Sequence, residues 1–180
     1  MDTVFGCTGR LWPLMHRLAD IVGRLRGGKD ITHEAGALAE SLEAWPIETP
    51  PPADAYLEAM CQIARAYKYC GLLLLRKILS DHYPDEATGR DREIYRAAFD
   101  SVLRVCVLST PMSTLTWPLY VVGKFATSTS DRTVIMHIFS QFLEKHHMKV
   151  VEGARNAVEA YWGQGERNMN WEPPAPVLLG

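Results

Sequence analysis

Apolar residues recur every three or four positions along most of the chain, the spacing that places them on one face of an α-helix. A first helix is predicted from Thr8, or from as late as Trp12, because Pro13 belongs within the first turns. It ends at Gly27 and Gly28, since glycine readily adopts the left-handed conformation that terminates helices. The residues predicted on its inward face are Leu11, Leu14, Met15, Leu18, Val22 and Leu25.

A second helix is predicted from Asp30 or Thr32, either of which suits an N-cap, to about Ala44. Pro46 stops it, because the residue before a proline is pushed out of helical geometry. The inward residues are predicted to be Ala35, Leu38 and Leu42. Residues 47–52, which include three consecutive prolines, are expected to form an extended connector.

The third predicted helix is the longest and begins at about Ala53. Four consecutive leucines at residues 72–75 make its second half apolar nearly all round, which indicates burial between neighbouring helices. This is the best candidate for a central helix. It is expected to end near Tyr83 and Pro84, before a polar loop over residues 85–91.

Two shorter patterns follow this loop. A fourth helix is predicted over roughly Arg92 to Leu108. A fifth begins near Trp117 and ends around Ala126, with Pro118 in the first turn, where its missing N–H removes no hydrogen bond. The predicted core residues of the fourth helix are Ile94, Ala98, Val102, Val105 and Cys106.

The last two predicted helices complete the chain. The sixth is expected to start at a cap formed by Ser130 or Asp131. The seventh runs from about Val150 to Trp162 and ends at the glycines that follow. The core of the sixth helix is predicted to contain Val134, Ile135, Ile138, Phe139 and Phe142.

The pattern as a whole predicts an all-α fold. Strand alternation and Asn-Gly or Asp-Gly hairpin turns are absent from the sequence. We predict a single-domain array of about six or seven packed helices with a long central helix, over residues 1–171. Residues 172–180 are predicted to form a flexible proline-rich tail. Because no apolar run reaches the length of a bilayer-spanning helix, we expect no membrane contact.

Charge argues against direct binding to nucleic acid. The 19 basic and 21 acidic residues give a net charge of −2, and the basic residues are scattered among the acids. Proteins that neutralise phosphates concentrate lysine and arginine on one surface. The four cysteines show no paired spacing, and no signal peptide precedes them, so we expect reduced thiols in an intracellular protein.

The chemical motifs of common enzymes are missing. The only Gly-x-Gly sequence, formed by Gly163 and Gly165, lacks the third glycine of a dinucleotide-binding loop. His146 and His147 point about 100° apart on a helix and cannot bind one ion from the same face. His16 and Asp20 lie one turn apart and could orient an imidazole for general-base work, although surface electrostatics is the simpler interpretation.

Two further sets of residues have structural interpretations beside the functional ones. Several aromatic residues could line an apolar ligand pocket or could be core: Tyr67, Tyr69, Tyr95, Tyr120 and Phe125. Cys61 and Cys70 are nine residues apart, so they lie on opposite faces of the third helix and cannot pair. We therefore predict no catalytic, cofactor-binding or metal-binding residue.

An ordered set of short motifs resembles the fungal-specific transcription factor domain, the regulatory region of fungal zinc-binuclear-cluster transcription factors. The resemblance covers about Asp2 to Trp171 and rests on Asp2-x-x-Phe5-Gly6-x-Thr8-x-x-Leu11, Leu18-Ala19-Asp20-Ile21, Leu42-Glu43-Ala44-Trp45, Trp117-Pro118-Leu119-Tyr120-Val121-Val122-Gly123 with Asp131-Arg132, and Tyr161-Trp162. It implies a nuclear, all-helical module that contacts protein partners or senses a small molecule. The six-cysteine zinc cluster of the family is not matched, so zinc and DNA binding are not carried over.

Three functional hypotheses follow. The first is a non-enzymatic regulatory module of fungal transcription control, either a fragment of a longer factor or a stand-alone relative. Its partners would be the transcription machinery, a second copy of the chain, or a small apolar ligand. The second is a helical ligand-binding protein or small enzyme that reuses the fold. The third is a dimerisation scaffold, which exposure of residues 72–75 would favour.

Overall fold

A computed structural model describes residues 11–47, 54–80, 88–108, 112–146 and 148–163. These residues form seven α-helices, one short 3₁₀ helix and no strand, which confirms the predicted all-α class. The helices are α1 (Trp12–Arg26), α2 (Thr32–Ala44), α3 (Ala55–Ser80), α4 (Thr88–Val107), α5 (Thr116–Phe125), α6 (Thr129–His146) and α7 (Lys149–Gly163), with the 3₁₀ helix at Met112–Leu115.

Helix α3 is the central helix, as predicted. It has 26 residues and packs against α1, α2, α4 and α5. The four leucines at residues 72–75 are each at most 2% exposed, because neighbours cover the helix on several sides. Their burial was predicted from the all-round apolar pattern. It removes the exposed leucine surface on which the scaffold hypothesis depended.

Helices α1 and α2 approach α3 closely at Gly71. A Cβ atom added at Gly71 would lie 3.1 Å from Leu42 Cδ1 and 3.4 Å from Leu18 Cδ2. Because glycine has no side chain, two leucines from different helices reach the backbone of α3 at this point. The predicted inward residues of α2 are all buried, namely Ala35, Leu38 and Leu42.

A buried lysine ties the end of α2 to α3. The Lys68 ammonium donates to the backbone carbonyls of Glu43 at 3.0 Å and Trp45 at 2.7 Å. Carbonyls at a helix C-terminus lack intrahelical partners and carry a partial negative charge, so a cation suits them. Burial lowers the pKa of Lys68, an effect that Glu43 opposes. The lysine therefore secures the end of α2 at the point where the chain leaves for the connector.

Helix α5 is the second centre of the packing, since it contacts α3, α4, α6 and α7. Trp117 in its first turn is 3% exposed and stacks on Tyr67 of α3, with 5.2 Å between ring centroids. The Tyr67 ring also meets Trp12 of α1 edge-on, with 5.5 Å between ring centroids. The Tyr67 hydroxyl donates to the carbonyl of Thr114 at 2.8 Å. One aromatic cluster thus joins α1, α3 and α5.

The predicted start of α4 was wrong. The polar loop predicted over residues 85–91 is helical from Thr88, so α4 begins four residues before the predicted Arg92. Asp91 in its first turn suits the positive end of the helix and forms an ion pair with Arg76 of α3, which favours this early start. The predicted end of α3 near Tyr83 lies outside the described residues.

The cap of α6 was also wrong by two residues. The helix starts at Thr129, and Ser128 is the cap, because its Oγ accepts the N–H of Asp131 at 3.1 Å. Asp131 itself belongs to the first turn and has another role, described below. The short side chain of Ser128 suits an N-cap as well as that of Ser130 does, so composition alone did not distinguish them. Residues 164–180, with the predicted tail, lie outside the described residues.

Removing Trp117 tests the aromatic cluster. We expect Trp117→Ala to destabilise the fold by ~3–5 kcal/mol, the usual cost of deleting a large buried aromatic side chain. The measurement is the free energy of unfolding from urea denaturation. Tyr56→Ala is the matched control, because Tyr56 is 56% exposed and its loss should change stability by only about 0.5 kcal/mol. Equal effects of the two substitutions would contradict the central role of the cluster.

Candidate functional site

The signature stretch at residues 117–132 forms a junction between α5, α6 and α7. At Gly123, where α5 packs on α7, an added Cβ would lie 2.9 Å from both γ-carbons of Val158. Real Cβ atoms essentially never come so close, so only glycine permits this packing distance. The glycine that interrupts the apolar run of α5 is thus a packing notch for α7.

The end of α7 closes over the same junction. The Trp162 indole donates at 2.9 Å to the Gly123 carbonyl, an acceptor near the end of α5 that also receives the N–H of Ala126. Lys124 lies 4.1 Å from the centroid of the Tyr161 ring, and the Arg132 guanidinium lies 5.1 Å from that of Trp162. These cation–π contacts hold both terminal aromatics of α7 against the signature stretch.

A buried carboxylate joins the start of α6 to α4. Asp131 is 6% exposed and accepts the Tyr95 hydroxyl at 3.0 Å and the Arg96 guanidinium at 3.1 Å. Burial raises the pKa of Tyr95, and the negative charge of Asp131 raises it further. The carboxylate thus has both a neutral and a charged donor. This arrangement satisfies a buried charge and offers no vacant position for chemistry.

The structure places the His16–Asp20 pair on a surface groove between α1 and α2. The groove has a volume of about 400 Å³ and is lined by His16, Arg17, Asp20, Ile21 and Glu34. Asp20 accepts a hydrogen bond from Arg24 at 3.4 Å rather than from His16.

The carboxylate that would orient His16 is thus engaged elsewhere. Arg24 also forms an ion pair with Glu34, and its hydrogen bonds lower the pKa of that carboxyl.

The aromatic residues proposed as a pocket lining do not converge. Tyr67 belongs to the cluster with Trp12 and Trp117, whereas Tyr95 stacks on Phe99, at 5.9 Å between centroids, and binds Asp131. Tyr69 lies beside Lys68, and Tyr120 lies beside Lys124. These side chains serve separate junctions of the helices, and the packing interpretation accounts for them.

The cysteines of α3 and α4 are protected thiols. Cys61 and Cys70 are buried, and the Cys70 thiol lies 3.6 Å from the carbonyl of Pro118. Burial raises the pKa of Cys70, and it raises that of Cys106 to about 11. Because the thiolate is the reactive form of cysteine, these groups are poor nucleophiles near neutral pH.

The remaining predictions concern the His146–His147 pair, metal binding and membrane spans. The side chain of His146 and the whole of His147 lie outside the described part of the chain. Within that part, no three acidic, histidine or cysteine side chains gather where they could hold a metal ion. None of the described helices combines the length and the hydropathy needed to span a bilayer.

A family model described as the fungal specific transcription factor domain matches residues 1–173. The chain belongs to this family, and the identification made from the ordered motifs is confirmed. Membership gives the chain a regulatory role in transcription, and with it a nuclear role. No curated protein and no solved structure shows a significant match.

Sequence reasoning missed several residues of these junctions. It did not identify Val158 as the contact of Gly123, because the two lie 35 residues apart. Lys68 lies within an apolar helix. A lysine in such a pattern indicates that it has a buried partner, but the spacing of apolar residues does not identify that partner. Asp131 was predicted as a cap, yet its partners Tyr95 and Arg96 belong to another helix.

Filling the notch in α5 tests the contact with α7. We expect Gly123→Ala to destabilise the fold by ~1–3 kcal/mol, since the new methyl group overlaps Val158. The matched control is Gly23→Ala in α1, where an added Cβ meets nothing within 4 Å. That substitution should stabilise by up to ~1 kcal/mol through helix propensity.

The two effects can be assigned by a double variant. Gly123→Ala with Val158→Ala should be less destabilised than the sum of the single variants, because the second change removes the overlap. The measurement is the free energy of unfolding of the wild type, the two single variants and the double variant. Additive effects would show that Val158 does not limit the approach of α7.

Alkaline pH should destabilise the fold. The pKa values of Tyr67, Tyr95 and Cys70 are raised by burial from ordinary values of 10.0, 10.0 and 9.0. Above those values the unfolded chain ionises while the folded chain keeps its protons, so stability is fully present below about pH 9 and falls as pH rises. Lys68, whose pKa is lowered, acts in the opposite direction but is a single group.

Urea denaturation from about pH 8 to about pH 10.5 measures this loss, expected to approach ~1.4 kcal/mol per pH unit for each ionising group. Tyr95→Phe should reduce the slope, whereas Tyr56→Phe at an exposed position should not. A free energy of unfolding that rises with pH over this range would contradict the assignment.

Proposed function

We propose that the chain is a non-enzymatic regulatory module of fungal transcription control that acts through protein contacts. The observation that carries this proposal is the family match over residues 1–173. Two structural features support it. The signature stretch is engaged in packing α5, α6 and α7, and the residues considered for catalysis lie apart or already have other partners.

We propose further that residues 1–171 act as one regulatory domain without a DNA-binding domain of their own. The sequence has a net charge of −2 and no six-cysteine basic segment. Several arginines that might have contacted phosphates are bound to carboxylates, among them Arg24, Arg76 and Arg104. Such a module would act in the nucleus on the transcription machinery or on a second copy of itself.

A reporter assay tests the regulatory role. The chain is fused to a heterologous DNA-binding domain, and transcription from a promoter with the matching sites is measured in a fungal cell. We expect expression to change, in either direction, relative to the DNA-binding domain alone. The Trp117→Ala fusion should lose the effect, because the folded domain is required. Unchanged expression with a stably expressed fusion would contradict the proposal.

A separate experiment tests the absence of DNA binding. The purified chain is mixed with labelled duplexes at physiological ionic strength, about 0.15 M, where weak phosphate contacts are screened. We expect no mobility shift. Tight, sequence-specific binding by the chain alone would overturn this part of the proposal and leave the regulatory role intact.

Ligand binding is a second candidate function, favoured by the groove of about 400 Å³ between α1 and α2. Three of its five lining residues, Arg17, Asp20 and Glu34, carry charge, which favours a ligand with polar groups over the apolar ligand of the first hypothesis. A thermal-shift screen with small polar metabolites tests it. A ligand of this groove should raise the Tm of the wild type but not that of His16→Ala or Asp20→Asn. The Arg92→Gln variant, on α4, is the control.

A further inference from the structure

The charged residues of the groove between α1 and α2 are not all paired with one another. The guanidinium of Arg24 binds both oxygens of Glu34, with 2.9 Å between Nη2 and Oε1. The same guanidinium donates to Oδ2 of Asp20 at 3.4 Å. One arginine therefore engages both oxygens of the first carboxylate and only one oxygen of the second.

Two groups that line the groove keep unused hydrogen-bonding capacity. Arg17 is exposed and makes no hydrogen bond or ion pair within the described part of the chain. Oδ1 of Asp20 accepts no hydrogen bond from the described residues either, since the bond from Arg24 goes to Oδ2. Arg17 and Asp20 are three positions apart on α1, so their side chains are neighbours on its surface. One free cation and one free carboxylate oxygen thus line the same groove.

The charge of Arg17 acts across the groove. Hydrogen bonds from Arg24 are the main reason why the pKa of Glu34 lies below its usual value, and the charges of His33 and Arg17 add to this effect. Glu34 belongs to α2, whereas Arg17 belongs to α1. The Arg17 guanidinium is therefore close enough to α2 to contact a molecule held between the two helices.

The balance of charges indicates what kind of molecule fits. Two arginines, Arg17 and Arg24, face two carboxylates, Asp20 and Glu34, so this set carries no net charge. A ligand with a net charge would find no excess of the opposite charge to neutralise it. A ligand with one negative and one positive group is itself balanced, and each of its groups meets one of the two unused partners.

We propose that the groove binds a small zwitterion of the α-amino acid type. Its carboxylate accepts two hydrogen bonds from Arg17, because a planar guanidinium matches two carboxylate oxygens. Its ammonium donates to Oδ1 of Asp20, and His16, one turn before Asp20, offers a ring nitrogen as a further acceptor. Its side chain lies toward Ile21, the apolar member of the lining.

The size of the groove agrees with a ligand of this class. Its volume of about 400 Å³ lies at the small end of ligand-binding pockets, roughly 300–1,000 Å³. The two charged groups of an α-amino acid are attached to one carbon atom, so both can reach side chains that lie within one helical turn, about 5.4 Å. The inference rests on ligand binding in this groove, the second candidate function, and names the class of ligand.

The test begins with a thermal-shift screen of the purified full chain against the common free amino acids. At ten times its Kd, a bound amino acid should raise the Tm by about 3–5 °C. Isothermal titration calorimetry then compares the best one with two analogues, the amine that lacks its carboxylate and the carboxylic acid that lacks its amine. Each analogue should bind at least about tenfold more weakly, because it loses one charged contact.

Two variants assign the contacts. Arg17→Gln should weaken binding of the amino acid about tenfold and leave binding of the amine unchanged, because the amine has no group for Arg17. Asp20→Asn should weaken binding of the amino acid and leave that of the carboxylic acid unchanged. The matched controls are Arg92→Gln and Asp100→Asn, the same changes at exposed positions of α4, which should bind like the wild type. Melts without ligand establish that every variant is folded.

Three results would overturn the inference: no free amino acid binds, either analogue binds as tightly as the amino acid, or Arg17→Gln binds it as the wild type does. If another polar metabolite raises the Tm of the wild type but not of His16→Ala, while no amino acid does, the groove remains a ligand site and only the proposed class is lost. The reporter assay of the regulatory role is independent of both outcomes.

Discussion

The need to bury α3 on nearly every side determines the arrangement of the other helices. A helix whose second half is apolar all round cannot lie on a surface, so it must be covered by several neighbours at once. The covering is close because Gly71 admits Leu18 and Leu42 to the backbone of α3. The Tyr67–Trp117 stack then carries the contact from α3 to α5. Helix α5, only ten residues long, in turn provides the surface on which α7 packs.

Close packing of many helices leaves helix ends and charges inside the structure, and each needs a partner. Lys68 satisfies two carbonyls at the end of α2, Trp162 satisfies the Gly123 carbonyl of α5, and Asp131 receives donors from Tyr95 and Arg96. The partner comes from another helix in each case. Such a bond requires both helices to be in place, so these polar contacts favour one arrangement over other ways of packing the same apolar faces.

The fold class, the seven helices and the central position of α3 could be predicted from the sequence, because the spacing of apolar residues indicates which positions are buried. Local signals were enough for Pro118 in the first turn of α5 and for the end of α2 at Ala44. They failed where a residue distant in the sequence determines the local structure. Helix α4, for example, starts early at Thr88, where its first turn lies beside Arg76. The pairing of Asp20 with Arg24 rather than with His16 could not be predicted either, since whether a charged side chain is engaged depends on which residues become neighbours.

Residues 117–123, which carry much of the family resemblance, lie mainly in the packed interior, whereas contact with a partner would use the outer surface. Trp117 and Gly123 of the signature stretch are buried, so changes at these positions act through the free energy of unfolding and would affect every activity of the chain together. Exposed charged residues lie outside this core, where a change of charge can alter an association while the core stays intact. A variant that loses regulation but keeps its Tm therefore points to the outer surface. A variant that loses both points to the junction around Trp117 and Gly123.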